Sequence, residues 1–167
     1  MSGTLADWLK IAAVAPVLAL IVWSDMRKQI IPDRLVLIGL AIAVLFTAHA
    51  CARGQTVSPL WEMLASFAIS GAPLMLVILV TRGGMGAGDM KLMAMLGALF
   101  MWRAALLSML FGIILAGVFA LVLMLLRKAS RGTRIPLAPF ITAGLLLVIV
   151  FHAQLERFVW VYYGFTL

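Results

Sequence analysis

The sequence holds one cysteine, Cys51, so neither an internal disulfide nor a paired-cysteine zinc knuckle can be built from it. Cys51 reads as a small residue near the end of a segment. Charge is scarce as well. Charged residues make up 11% of the chain and hydrophobic residues 65%, where a soluble domain is about a quarter charged and about half apolar. Water is therefore excluded as the solvent for most of the surface. Histidine is confined to His49 and His152, which are too isolated to suggest a metal site and read as interface residues. No internal repeat or low-complexity segment is present. The formal net charge of +7 raises nucleic acid as a partner, but the basic residues are scattered through short loops and not gathered on an arm or a helix face.

What fills the sequence instead is long apolar blocks, each near the roughly 20 residues needed to cross a hydrocarbon core. Hydropathy predicts spans at about Leu5 to Ser24, Leu35 to Ala50 and Leu60 to Val80. The stretch Met90 to Leu126 is too long for one crossing and carries Arg103 inside it. Splitting it there gives a short fourth span and a fifth, and Leu137 to about Phe158 is the sixth. The fourth is short enough to require tilt, burial in a cavity or continuation past Arg103. The expectation is all-α: one polytopic bundle of about six transmembrane helices over residues 1–167, with no separate soluble domain. The first block runs straight into Asp25 and the Arg27-Lys28 pair, so it reads as a retained span and not as a cleavable signal.

With six spans the loops alternate between two sides. One side collects Arg27, Lys28, Arg34, Arg82, Lys91, Arg127, Lys128, Arg131 and Arg134; the other has Lys10, Arg53, Arg103 and Arg157. The asymmetry puts the first, third and fifth loops in the cytoplasm and both termini outside. Asp25, Asp33 and Asp89 fall on the cytoplasmic side, and Asp7, Glu62 and Glu156 on the other. Two complete spans lie between Asp25 and Asp89, and an even number of crossings returns the chain to the side it left. Those two acids therefore share a membrane face whichever way the protein is oriented.

Carboxylates against hydrocarbon are costly and mark ion paths, proton relays or catalysis. Taken alone, Asp25 could equally mark the interface beside Arg27, and Asp89 could cap a helix. Their surroundings carry more. Gly83-Gly84-Met85-Gly86-Ala87-Gly88-Asp89-Met90-Lys91-Leu92 is a glycine-rich bend that presents Asp89 at the mouth of a helix, and irregular backbone at membrane depth needs protein or water around it. Glycines spaced like Gly84 and Gly88 also serve helix packing. In Ser24-Asp25-Met26-Arg27-Lys28-Gln29-Ile30-Ile31-Pro32-Asp33, Asp25 closes the first span, and a basic turn leads to Pro32, which suits a helix opening. Asp33 then fits a cap of the second helix. Ile135-Pro136-Leu137-Ala138-Pro139-Phe140 opens the last span on the same face, stiffened by Pro136 and Pro139. Lys91 lies about half a turn beyond Asp89, placed to hold the Asp89 loop and attract negative charge, or simply to snorkel to the cytoplasm.

An Asp followed by a basic turn and Ile31-Pro32, then Gly86-x-Gly88-Asp89-x-Lys91-Leu92, then Pro136-x-x-Pro139-Phe140, resembles the type IV prepilin peptidases, the Gly-x-Gly-Asp aspartic proteases of the membrane. The resemblance covers nearly the whole chain. It implies a membrane aspartic endopeptidase of the bacterial inner (cytoplasmic) membrane with Asp25 and Asp89 as the catalytic pair and no metal or organic cofactor. Its substrates would be prepilins or pilin-like secretion subunits, cut behind a short basic leader on the cytoplasmic side. Partners implied are that substrate and membrane lipid, not nucleic acid. The family usually has Asn where this chain has Asp33, so a third acid lies near the site and remains a competitor of Asp25 for the first catalytic role. Longer members carry a paired-cysteine insertion associated with methylating the new N-terminus. This sequence lacks it and resembles the short, peptidase-only form found with tight-adherence pili.

The chemistry that two such carboxyls offer is general. Like charges held close in a poorly solvated pocket do not both ionise easily, so the pair shares a proton near neutrality. The ionised member draws a proton from an attacking water while the protonated member donates to the peptide carbonyl oxygen. Two other readings compete. A small transporter or proton-conducting subunit would place acids near mid-bilayer in related halves, whereas these lie at span ends. A structural assembly subunit has no use for two acids on one face.

Overall fold

The computed structural model describes residues 5–54, 57–81, 86–127 and 136–151, with side chains from residue 8 onward. All the described structure is helical: α1 Leu5–Lys28, α2 Asp33–Gly54, α3 Ser58–Val80, α4 Ala87–Leu125 and α5 Ala138–Val150. Several features read from the sequence lie outside the described residues: the Gly83 to Met85 part of the glycine run, Arg82, the basic residues Lys128, Arg131 and Arg134, Ile135, His152, Glu156, Arg157 and the far end of the predicted sixth span at Phe158.

The expectation of an apolar helical bundle holds. The count of about six crossings is not established: among the described residues α1 to α4 are long and apolar enough to span a bilayer, and α5 has 13 residues. The long stretch is nevertheless divided. Inside α4, Met101 adopts φ 68° and ψ 157°, a region sparsely populated by residues with a Cβ. It separates an N-terminal arm, 87–100, from a C-terminal arm, 102–125. The break lies two residues before Arg103, where the sequence reading had split the stretch.

Packing shows that the chain doubles back there. Space for a side chain at Gly71 is closed by Ala94, and at Gly97 by Ser66 and Ser70, so the N-terminal arm runs antiparallel to α3. Gly112 faces Ile141, Gly144 faces Ser108 and the Phe119 ring lies 5.3 Å from that of Phe140, so the C-terminal arm runs antiparallel to α5. Thr47 Oγ1 donates to Met63 Sδ at 3.3 Å, pairing the end of α2 with the start of α3. Followed in order, α2, the N-terminal arm of α4 and α5 all start at one end of the bundle, and α1 finishes there. Trp102 and Arg103, with the guanidinium 5.1 Å from the ring, sit at the opposite turn, as interfacial residues do.

The N-terminal arm explains its own short length. Every residue from Leu92 to Phe100 is buried, a helix enclosed on all sides. Fourteen residues reach only about 21 Å at 1.5 Å each, less than a bilayer core, but protein surrounds this arm and its length need not match lipid. The first turn of the arm stays open at the end where the helices gather.

Candidate active site

The acids at that end of the bundle are set by three helix openings, those of α2, α4 and α5, and by the end of α1. Helix α1 stops at Lys28, one turn past Asp25, because Gln29 takes a left-handed conformation, φ 53°, while its N–H donates to the Asp25 carbonyl at 2.9 Å. Ser24 Oγ donates to the Ile30 carbonyl at 2.9 Å, folding the turn back on the helix. Pro32 follows, its carbonyl accepting from Leu35 and Val36, and Asp33 is the first residue of α2.

Asp25 is 5% exposed and its Oδ2 accepts a hydrogen bond from the Ala138 N–H at 3.0 Å, across 113 positions of sequence. The reason lies in the Pro136 to Pro139 opening. Helix α5 has no side-chain cap of its own at Leu137, Pro139 has no N–H to give, and Phe140 and Ile141 both donate to the Leu137 carbonyl. Ala138 is the donor left at the mouth of the helix, and the positive end of the helix dipole suits a carboxylate. The two prolines thus shape a receptor for Asp25. Asp25→Ala should leave that N–H buried without an acceptor and cost about 1–3 kcal/mol, whereas Asp25→Asn keeps an acceptor oxygen. Denaturant unfolding of the two variants side by side checks this, with the alanine protein expected to unfold first.

The Gly-x-Gly-Asp segment is explained by space. Gly86 precedes α4 in an extended conformation, φ −71° and ψ 130°, and a Cβ there would lie 3.2 Å from Asp89 Oδ2. A Cβ on Gly88 would lie 3.0 Å from the Cβ of Ile31, which is buried. The first glycine leaves room for the carboxylate, and the second lets the Ile31-Pro32 turn close over the start of α4. Two motifs far apart in sequence are one packing unit.

The result is a cavity of about 270 Å³ with both Asp25 and Asp89 in its wall, together with Gln29, Ile31, Asp33 and Gly88. Sequence reasoning missed Gln29 as a lining residue and the Ala138 amide as a ligand; a backbone donor leaves no signal in residue type.

Lys91 does not reach Asp89. Its Nζ lies 2.7 Å from Asp33 Oδ1, both side chains being substantially exposed. The lysine expected to steady the Asp89 loop instead ties the start of α2 to the start of α4, and Asp33 is its partner. An exposed ion pair contributes roughly 0–1 kcal/mol. Lys91→Gln should therefore lower stability by no more than about 1 kcal/mol, which denaturant unfolding checks; a larger loss would mean that the pair holds more than the two helix starts.

A profile described as the Type IV leader peptidase family matches residues 12–121. Among curated proteins the chain is similar to a prepilin leader peptidase/N-methyltransferase of Stutzerimonas stutzeri, 30% identical over 149 residues that cover 84% of this chain and 51% of the relative. It is similar to proteins of the same description from Pseudomonas aeruginosa, 31% identical with 80% and 46% covered, and from Bacillus subtilis, 23% identical with 84% and 55% covered. The chain spans about half the length of the curated relatives it matches. No solved structure matches it significantly.

Proposed function

The chain belongs to the type IV leader peptidase family, and on that premise we propose that it is a membrane aspartic endopeptidase with Asp25 and Asp89 as its catalytic pair. Its substrates are prepilins or pilin-like secretion subunits, from which it removes a short basic leader at the cytoplasmic face of the bacterial inner membrane. The observation that carries the reading is the shared cavity: two carboxyls from helix ends 64 positions apart line one small space, one of them buried and held by the opening of α5.

The geometry suits proton transfer in both directions. One carboxylate takes a proton from water as the oxygen attacks the peptide carbon, and the other carboxyl donates to the carbonyl oxygen, so the tetrahedral intermediate forms without separated charge. The proton taken from water then passes to the amide nitrogen as the C–N bond breaks, while a hydroxyl of the intermediate gives its proton to the other carboxylate, which releases the two products and restores one acid and one carboxylate. Base and acid belong to the pair and not to one fixed residue. The Ala138 amide and the Ile31 to Gly88 contact position the two acids, and Lys91 with Asp33 supports the frame from outside. No metal or organic cofactor takes part in this scheme, and membrane lipid, not nucleic acid, surrounds the protein. The methyltransferase activity in the relatives' names is not proposed for this chain.

Incubating the purified protein with a prepilin and following intact mass tests the reading. Loss of the leader as one fragment is the expected result; a substrate left whole contradicts it. Orientation is tested separately by introducing cysteines into a protein in which Cys51 is replaced. In intact cells an impermeant thiol reagent should fail to reach position 29, beside the cavity.

A further inference from the structure

Beside the catalytic cavity lies a second and larger space, an apolar groove of about 610 Å³ between α2, α3 and the first turns of α4. Its walls include Leu37 and Leu40 of α2, Ala68 and Ala72 of α3, and Met90 and Ala94 of α4. At one end stand Asp33 and Lys91, joined at 2.7 Å. Asp33 also belongs to the wall of the catalytic cavity. Groove and cavity therefore meet at this residue, and a chain leaving the groove past the ion pair arrives at the two acids.

We propose that this groove seats the apolar helix of the substrate that adjoins the scissile bond; the inference rests on the peptidase reading and adds where the substrate's membrane segment docks. Both α2 and α3 have the length and hydropathy of membrane spans, so the groove opens where lipid would be. A polypeptide that approaches from lipid must satisfy its own backbone hydrogen bonds, which makes it a helix, and must be apolar. Ala68 and Ala72 are four residues apart, on one face of α3, and both are exposed. Small residues so placed let a helix backbone approach closely, while Gly71 turns its face inward against Ala94. The Asp33 and Lys91 charges mark the level at which the substrate must leave its apolar helix and extend, because hydrocarbon ends there. The bond to be cut is presented just beyond that point.

The test uses the full-length protein in detergent micelles and two synthetic prepilin peptides. One carries the basic leader and the apolar segment that follows it; the other is cut off shortly after the scissile bond. The variant Ala68→Leu/Ala72→Leu fills the groove at positions that touch nothing in the catalytic cavity. It should lower kcat/KM for the long peptide by about tenfold or more while leaving the short peptide unchanged. Equal rates for wild type and variant on the long peptide, as expected of a groove that merely holds lipid, would overturn the proposal, and so would an equal loss on both peptides. If wild type cuts neither peptide, the peptidase reading falls and this inference with it. If wild type cuts only the long peptide, photo-crosslinking from position 72 decides: transfer to the apolar segment supports the groove, and its absence refutes it.

Discussion

Asp25→Asn and Asp89→Asn should each lower kcat/KM for leader removal by about 10²–10⁴-fold or more, in proteins that remain folded and membrane-inserted. Asparagine nearly preserves shape and removes the ionisable group, so neither variant can share a proton across the cavity. At position 25 the amide oxygen still accepts from the Ala138 N–H that Asp25 now holds, which keeps α1 and α5 in register. Asp33→Asn behaves differently. It loses an exposed ion pair with Lys91 and should retain activity within about fivefold of wild type. Cleavage rates on the three purified variants, with thermal melts as a control for folding, separate the acids. An active Asp25→Asn protein beside a dead Asp33→Asn protein would move the first catalytic role to Asp33.

Gly88→Val should be the most damaging change outside the acids themselves. An added Cβ already approaches the Ile31 Cβ to 3.0 Å, and the further branches of valine must push the Ile31-Pro32 turn off the start of α4. That turn joins Asp25 to the wall of the cavity, and Gly88 is the residue next to Asp89. Displacing one acid from the other by about 1 Å is enough to lose roughly a hundredfold in rate, and such a loss is expected in the valine variant. Gly88→Ala requires the turn to yield only slightly and should lose far less. The contact also sets a rescue: combining Gly88→Ala with Ile31→Val keeps the Ile31 Cβ but removes the Cδ1 that lies 3.5 Å from the new methyl, which leaves the turn freer to yield, so the double variant should recover part of the activity lost in Gly88→Ala. Comparison of kcat/KM in wild type, Gly88→Ala, Ile31→Val and the double variant checks it. If the double variant is the sum of its parts, the contact does not set the geometry.

Much of this arrangement was legible in the sequence, for reasons that can be stated residue by residue. The parity of crossings placed Asp25 and Asp89 on one face, and they line one cavity. The prolines flanking Leu137 and Ala138 marked a special helix opening, which the structure uses to hold Asp25. Arg103 and the excess length of its segment located a break within two residues of Met101. The break itself has no glycine or proline to announce it, so its position at a methionine was not legible. Nor was the enclosure of Leu92 to Phe100: hydropathy distinguishes water from an apolar surrounding, not lipid from protein. The partner of Lys91 lies 58 positions away. Sequence proximity pointed to Asp89, and only the packing of α2 against α4 brings Asp33 closer.

The central claim is that Asp25 and Asp89 form one catalytic unit in their shared cavity. The measurement that tests it most directly is the single-turnover cleavage rate of Asp25→Asn/Asp89→Asn with enzyme in excess over prepilin, set against the rates of the two single variants. Residues that act as a unit lose their contribution together, so the double variant should be about as slow as either single one. A double variant slower by the product of the two single losses would show the acids acting independently, and would contradict the account.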